Sequence, residues 1–225
     1  EKAVELLKAQ TLNDALIARP EQAEGIIRLF VDVLKGVHAA KLEPGSVPSA
    51  KAIWLRYLEQ IGAHGLIDGS QQARLRALLT AIPESYGAIH GDYHMKNVML
   101  ADGEPMLIDM DTLAAGNPIF DLQAVHVAYK AYTEDEPGNS MAFLGIDNAM
   151  CDRVWKRTLA NYFETEDPET LARMSDKIRL VAAVRFLYLL DGRAGERDAL
   201  TKTRIRRTRQ HIDELLERVD SLLLE

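Results

Sequence analysis

"AIHGDYHMKNVML", residues 88–100, packs His90, Asp92, His94 and Asn97 into one short stretch ahead of an apolar run. It continues as "ADGEPMLIDMD", residues 101–111. The two together read as a β-hairpin following a polar loop. The runs "VML" and "MLIDMD" flank a turn containing Asp102, Gly103 and Pro105, residue types that set turn geometry. The polar cluster suits a transition-metal site, a loop for phosphoryl transfer, or a loop without chemistry. The rest of the sequence has to choose.

Outward from this centre the chain reads as amphipathic helix. After Pro20, a residue favoured in a first helical turn, Ile26, Ile27, Phe30, Val33, Leu34 and Val37 recur at helical spacing. Ile53, Trp54, Tyr57, Leu58 and Ile61 form a second stripe, closed by "AHG" at 63–65. A third begins near Asp68 as N-cap and carries Leu75, Leu78 and Leu79. "AAGNPIFDLQAV", 114–125, is a turn leading into another helix. Leu171, Met174, Ile178 and Val181 mark a later helix, and Ile212, Leu215, Leu216, Val219 and Leu222 the last one. The expected fold class is mainly α with a small β-hairpin insertion. Residues 1–225 form a single lobe, with the loop and hairpin at about 88–112.

The composition narrows the function. With 225 residues, 47% of them hydrophobic, the chain has apolar material for a sizeable core. Acidic residues outnumber basic ones by 34 to 27, a net charge of -7, which argues against a nucleic-acid partner. It suits a cationic small-molecule acceptor. Cys151 is the only cysteine, so an internal disulfide and a thiolate metal cluster are excluded. A reducing, cytoplasmic home is expected. No membrane association is expected: "LVAAVRFLYLL", 180–190, is far short of the roughly 20 residues a span needs and is broken by Arg185.

Phosphoryl transfer to a hydroxyl requires positioning and charge neutralisation. One carboxylate orients the acceptor hydroxyl, and oxygen ligands hold Mg²⁺ on the nucleotide. The protein-kinase arrangement takes these from an Asp in a loop, an Asn shortly after it, and an Asp beyond the next hairpin. Asp92, Asn97 and Asp109 occur in that order, with the hairpin between the second and third. Such spacing sets all of them at one end of the hairpin.

At these residues the chain resembles the aminoglycoside phosphotransferase and choline kinase-like family. "HGDYHMKN", "LIDMD", "GNP" and "DL" follow one another as the family's motifs do. "QTLNDAL" is similar to the segment after that family's interlobe hinge, and "LKGVHAA" to the helix end that follows. The resemblance implies the C-terminal lobe of the protein-kinase-like fold. It also implies an ATP- and Mg²⁺-dependent phosphotransferase acting on a small-molecule hydroxyl. Asp92 then corresponds to the catalytic base, and Asn97 and Asp109 to the metal and nucleotide ligands. His90 braces the loop, and Asp121 accepts backbone N–H bonds from it. Asp111 is an acidic position whose role varies in the family. His94 faces either the acceptor or solvent.

Two other classes compete. His90, Asp92 and His94 alternate, so on a strand they would share one face and, with Asp109 and Asp111, could serve a metallohydrolase. That reading leaves Asn97, "GNP" and Asp121 without a role. The chain could also be a non-catalytic kinase-like binding module. No glycine-rich phosphate turn and no β-rich segment precede the first helix, and the first residue is Glu1. The expectation is that the N-terminal lobe is absent and the isolated chain is inactive. His38, His64, His126 and His211 stand isolated and read as structural or solvated. The basic run "TRIRRTRQ" (203–210) reads as a solvated helix face. "TEDEPGNS" (133–140) reads as an exposed turn or as an acidic lip for a cationic acceptor.

Overall fold

The computed structural model describes residues 9–136, 138–192 and 198–225. Glu1, and Pro137 of the acidic turn, lie outside them. Strand β1 (Ala9–Thr11) leads into helices α1 (Leu12–Ala18), α2 (Ala23–Ala39), α3 (Ala50–Ala63) and α4 (Gly69–Ala81). The centre holds strands β2 (Ala88–Ile89), β3 (Val98–Ala101), β4 (Glu104–Leu107) and β5 (Ala114–Ala115). Then come α5 (Ile119–His126), α6 (Asn139–Leu144), α7 (Asn148–Phe163), α8 (Pro168–Asp191) and α9 (Ala199–Leu216). The chain is mainly α with small antiparallel sheets. No helix among the described residues is long and apolar enough to cross a membrane.

The apolar stripes become core faces. Ile27, Phe30 and Leu34 of α2, Trp54, Leu58 and Ile61 of α3, and Ile178 and Val181 of α8 join one large buried cluster. Burying a side chain such as Phe30 completely is worth about 1.5–3 kcal/mol. Pro20 starts a short 3₁₀ turn, Pro20–Gln22, rather than α2 itself. The last helix stops at Leu216, earlier than its apolar spacing suggests. Val219 and Leu222 lie beyond it yet are buried in the same cluster. A tail packed on the core needs apolar contacts without helical backbone, so the spacing alone misleads.

The hairpin turns on Asp102 and Gly103, both with positive φ, at 51° and 87°. This is the two-residue reversal whose twist matches that of the strands. Pro105 belongs to β4 rather than to the turn and pairs with Leu100. β4 is an edge strand, in the order β1-β3-β4, where a missing N–H breaks no ladder bond. β1 precedes the first helix and was not expected. Three residues of Ala-Gln-Thr carry no readable alternation, and pairing with β3 makes them a strand. The second sheet, β2 against β5, has the register Ala88↔Ala115 and Ile89↔Ala114. It ties the start of the polar loop to the segment just before α5.

The basic run of α9 is a solvated face only in part: Arg206 and Gln210 are exposed, but Arg204 and Arg207 turn inward. Arg204 is 5% exposed and bonds to the Tyr132 carbonyl and the Glu136 carboxylate. Arg207 meets Glu134, Asp135 and the Ala131 carbonyl. The acidic turn at 132–136 and the basic helix are therefore each other's counterions. Neither is a bare charged surface, because a half-buried charge is tolerable only when paired.

Helix α4 is capped as its sequence suggests. The Asp68 carboxylate accepts the Gln71 N–H at 2.9 Å, and the Gln71 side chain accepts the Asp68 N–H at 3.1 Å. Replacing Asp68 by Ala should cost about 1 kcal/mol, read as a lowered midpoint in urea denaturation with an unchanged slope.

Candidate functional site

The loop between β2 and β3 is built around a buried carboxylate. Asp121, in the first turn of α5, has no exposed surface. Its Oδ2 accepts the His90 N–H at 2.9 Å, and its Oδ1 accepts the Gly91 N–H at 2.6 Å. His38, at the end of α2, adds a third partner, with Nε2 at 3.1 Å from Oδ2. Tyr162 of α7 completes the chain, its hydroxyl 2.7 Å from His38 Nδ1. A carboxylate oxygen accepts, so His38 donates from Nε2 and its Nδ1 accepts the hydrogen bond of the Tyr162 hydroxyl. Burial, with the Asp121 charge nearby, pushes the Tyr162 hydroxyl pKa well up and keeps it a donor. His38 is thus not isolated, as the sequence alone suggested.

Gly91 makes this turn possible. Its φ is +86°, and a Cβ there would sit 2.6 Å from the Thr112 carbonyl oxygen. Thr112 in turn donates its hydroxyl to the His90 carbonyl at 2.6 Å. The imidazole of His90 is fully buried and engaged at both nitrogens. Nδ1 accepts the Asp92 N–H at 3.3 Å, which leaves Nε2–H to donate to the Ile108 carbonyl at 3.0 Å. The loop is also held by two phenols that sequence reasoning did not single out. Tyr93 stacks on Phe30 at 4.6 Å and donates to its carbonyl at 2.6 Å. Tyr129 accepts the Met95 N–H at 3.2 Å. Apolar-stripe logic treats both rings as plain core, and no sequence signal marks their hydroxyls as loop supports.

Asn97 closes the loop. Its Nδ2 donates to the Asp92 carbonyl at 2.9 Å, and its own carbonyl accepts the Ile108 N–H at 3.1 Å. The hairpin therefore returns Asp109 to the end where Asn97 stands. Asp109 is exposed and left-handed, at φ 58°, a conformation uncommon outside Gly, Asn and Asp. Asp111 is exposed in the 3₁₀ turn Met110–Thr112 that follows.

The Asp92 carboxylate is half-exposed and opens, with His94, onto a cavity of about 250 Å³. Tyr132, Phe143 and Leu189 contribute to its walls. So do Val127 and Ala128, from the π-helical turn Val127–Ala131 that continues α5. Nε2 of His94 lies 3.7 Å from the Asp92 carboxylate, in ionic contact but too far for a hydrogen bond. That imidazole holds the Asp92 pKa below the ordinary aspartate value against the opposing effect of burial, with help from the Arg185 charge. His94 Nδ1 is buried without a partner among the described residues.

The metallohydrolase arrangement is not assembled. Both His90 nitrogens are spent on backbone groups, and no three His, Cys, Asp or Glu side chains among the described residues could hold a metal together.

A model of the phosphotransferase enzyme family matches residues 3–173. The chain belongs to this family, the aminoglycoside phosphotransferase and choline kinase-like group. Viomycin phosphotransferase of Streptomyces vinaceus is 30% identical over 159 residues, 64% of this chain and 54% of that protein. The chain thus spans about half the length of this curated relative. A choline/ethanolamine kinase family protein from Mesorhizobium loti superposes with a TM-score of 0.54 at 15% identity. The match covers 93% of this chain and 69% of that one, and at this identity it establishes the fold.

Two outcomes are expected from these contacts. Changing Asp121 to Ala leaves the His90 and Gly91 N–H groups buried and unpaired, which should cost about 1–3 kcal/mol. The loss should appear in urea denaturation and as faster amide exchange at those two residues. Changing His94 to Ala should raise the Asp92 titration towards that of ordinary aspartate, read by ¹³C carboxyl NMR. Because the folded pKa is the lower one, the contact stabilises the fold above the ordinary aspartate pKa. That contribution fades as pH falls through the lowered value.

Proposed function

We propose that this chain is the catalytic and acceptor-binding lobe of an ATP- and Mg²⁺-dependent phosphotransferase of small-molecule alcohols. Residues 88–112 are its catalytic loop and hairpin. Family membership supports the reaction class. The observation that carries the residue roles is the knot at the base of the hairpin. Asn97 is tied to the Asp92 carbonyl through its amide and to Ile108 through its backbone. This supports a reading in which the proposed base and both proposed ligands share one edge of the lobe.

The donors there fit Mg²⁺. With its Nδ2 occupied, Asn97 offers an amide oxygen, and exposed Asp109 offers a carboxylate. Such an ion is commonly held by one or two carboxylates, with phosphate oxygens and water filling the octahedron. When bound, it supplies charge neutralisation on the phosphates. Asp92, a carboxylate whose pKa is held below the ordinary aspartate value, accepts a hydrogen bond from the acceptor hydroxyl and aims its oxygen at the γ-phosphorus. As that O–P bond forms, the bond from phosphorus to the bridging oxygen breaks, ADP leaves, and Asp92 takes the hydroxyl proton. A weak base suffices, since the proton moves late in a loose transition state.

In this reading the lobe that covers the nucleotide lies outside this chain, and the isolated chain binds ATP poorly and turns over negligibly. Transfer from ATP to a panel of antibiotics, choline-like amines and sugars is the decisive assay, run on the two-lobed protein. Asp92→Asn should lower it by at least about 100-fold with an unchanged circular dichroism spectrum. Activity retained by Asp92→Asn would remove that residue as the base. Binding of an alcohol with no transfer would favour the non-catalytic module.

A further inference from the structure

A second cavity, of about 400 Å³, is lined by Gly91 and Thr112 beside the catalytic loop and by Arg56, Tyr57, Arg185 and Tyr188. It shares α8 with the cavity at Asp92: Arg185 and Tyr188 face the larger one, Leu189 the smaller. The charge of Arg185 also contributes to holding the Asp92 carboxyl below its ordinary pKa, so the two sites lie within electrostatic reach.

The lining runs against the charge of the chain. Overall the net charge is -7, yet this cavity has two guanidinium groups and a single carboxylate, Asp111. Arg185 is half-buried and makes one hydrogen bond, from Nη1 to the Tyr57 hydroxyl at 3.2 Å. Its guanidinium carbon lies 5.2 Å from the Tyr57 ring centroid and 5.7 Å from that of Tyr188. Those two rings stack at 3.8 Å. Among the described residues neither Arg185 nor Arg56 has a carboxylate partner. A guanidinium carries five donors in a planar fork that matches an oxyanion. Here the plane is braced by aromatic rings while most of the donors are unused. Arg204 and Arg207 of α9 are matched by acids, whereas Arg185 has no such counterion among the described residues.

We propose that this cavity is an acceptor subsite for an oxyanion, a carboxylate or phosphate carried on the same small alcohol whose hydroxyl meets Asp92. The inference rests on the phosphotransferase reading and adds the class of acceptor. Arg185 and Arg56 bind the anionic group, the Tyr57–Tyr188 pair packs against the body of the molecule, and Asp111 repels the anion from the 3₁₀ turn. Local charge thus selects a different acceptor from the cationic one that the overall composition suits.

Trp54 lines the cavity and lies 5.5 Å from Tyr57, so its fluorescence reports occupancy. Benzoate, benzyl alcohol and benzylamine are titrated into this chain as anionic, neutral and cationic probes of one shape. Benzoate should bind at least about 10-fold more tightly than either of the others, the scale of one charge-assisted bidentate contact. Arg185→Gln should abolish the preference, and Arg56→Gln, at an exposed position, should reduce it with the fold intact. Equal affinities, tighter benzylamine, or a preference that survives both substitutions would overturn the proposal. Displacement of benzoate by inorganic phosphate but not by ADP assigns the oxyanion to the acceptor; displacement by ADP assigns it to the nucleotide and also overturns it. The readout needs no turnover. An anion preference without any transfer in the two-lobed protein would therefore sink the reaction and leave the subsite standing. Transfer without an anion preference would do the reverse.

Discussion

A carboxylate sealed from water has to be met by donors, and Asp121 is met by the two N–H groups that shape the turn at His90 and Gly91. The donors converge only because α2 supplies His38, α7 supplies Tyr162, and the β2–β5 pair brings the loop up to the start of α5. The helical core thus acts on the loop through one buried anion. An unmet charge at this depth costs several kcal/mol, so the alternative conformations of the loop are expensive.

Two aspartates of the same family motif set have opposite environments. Asp121 is enclosed and saturated, while Asp92 is half-exposed and has a lone imidazole beside it. The first can only hold shape; the second retains lone pairs for a ligand. Between them, His90 converts one into the other: its backbone reports to Asp121, and its ring receives the Asp92 N–H. Rigid backing with an open front is what catalytic positioning requires.

How much of this was legible depends on sequence distance. The hairpin was readable because Asp102 and Gly103 are a local signal, and the capping of α4 because Asp68 and Gln71 are neighbours on one turn. The strands at Ala9–Thr11, Ala88–Ile89 and Ala114–Ala115 are too short for a period to appear. His38 looked isolated because its carboxylate partner is 83 positions away. The acidic turn and the basic helix were each read as surface for the same reason: Arg204 and Glu136 are 68 positions apart. Order and residue type exposed the motif of Asp92, Asn97, Asp109 and Asp121. The phenols of Tyr93 and Tyr129, which hold the loop from either side, have no such signature, because an aromatic ring in a stripe looks the same whether or not its hydroxyl is used.

The pairing of α9 with the acidic turn reaches further than its charges. Arg204 binds the carbonyl of Tyr132 and lies 5.1 Å from the centre of its ring, and Tyr132 lines the same cavity as Asp92. The Asp92 loop is thus anchored by the middle of the chain, while the shape of the cavity beside it is partly dictated by α9. A change in the last helix would therefore be felt in the wall beside Asp92 without touching Asp92 itself.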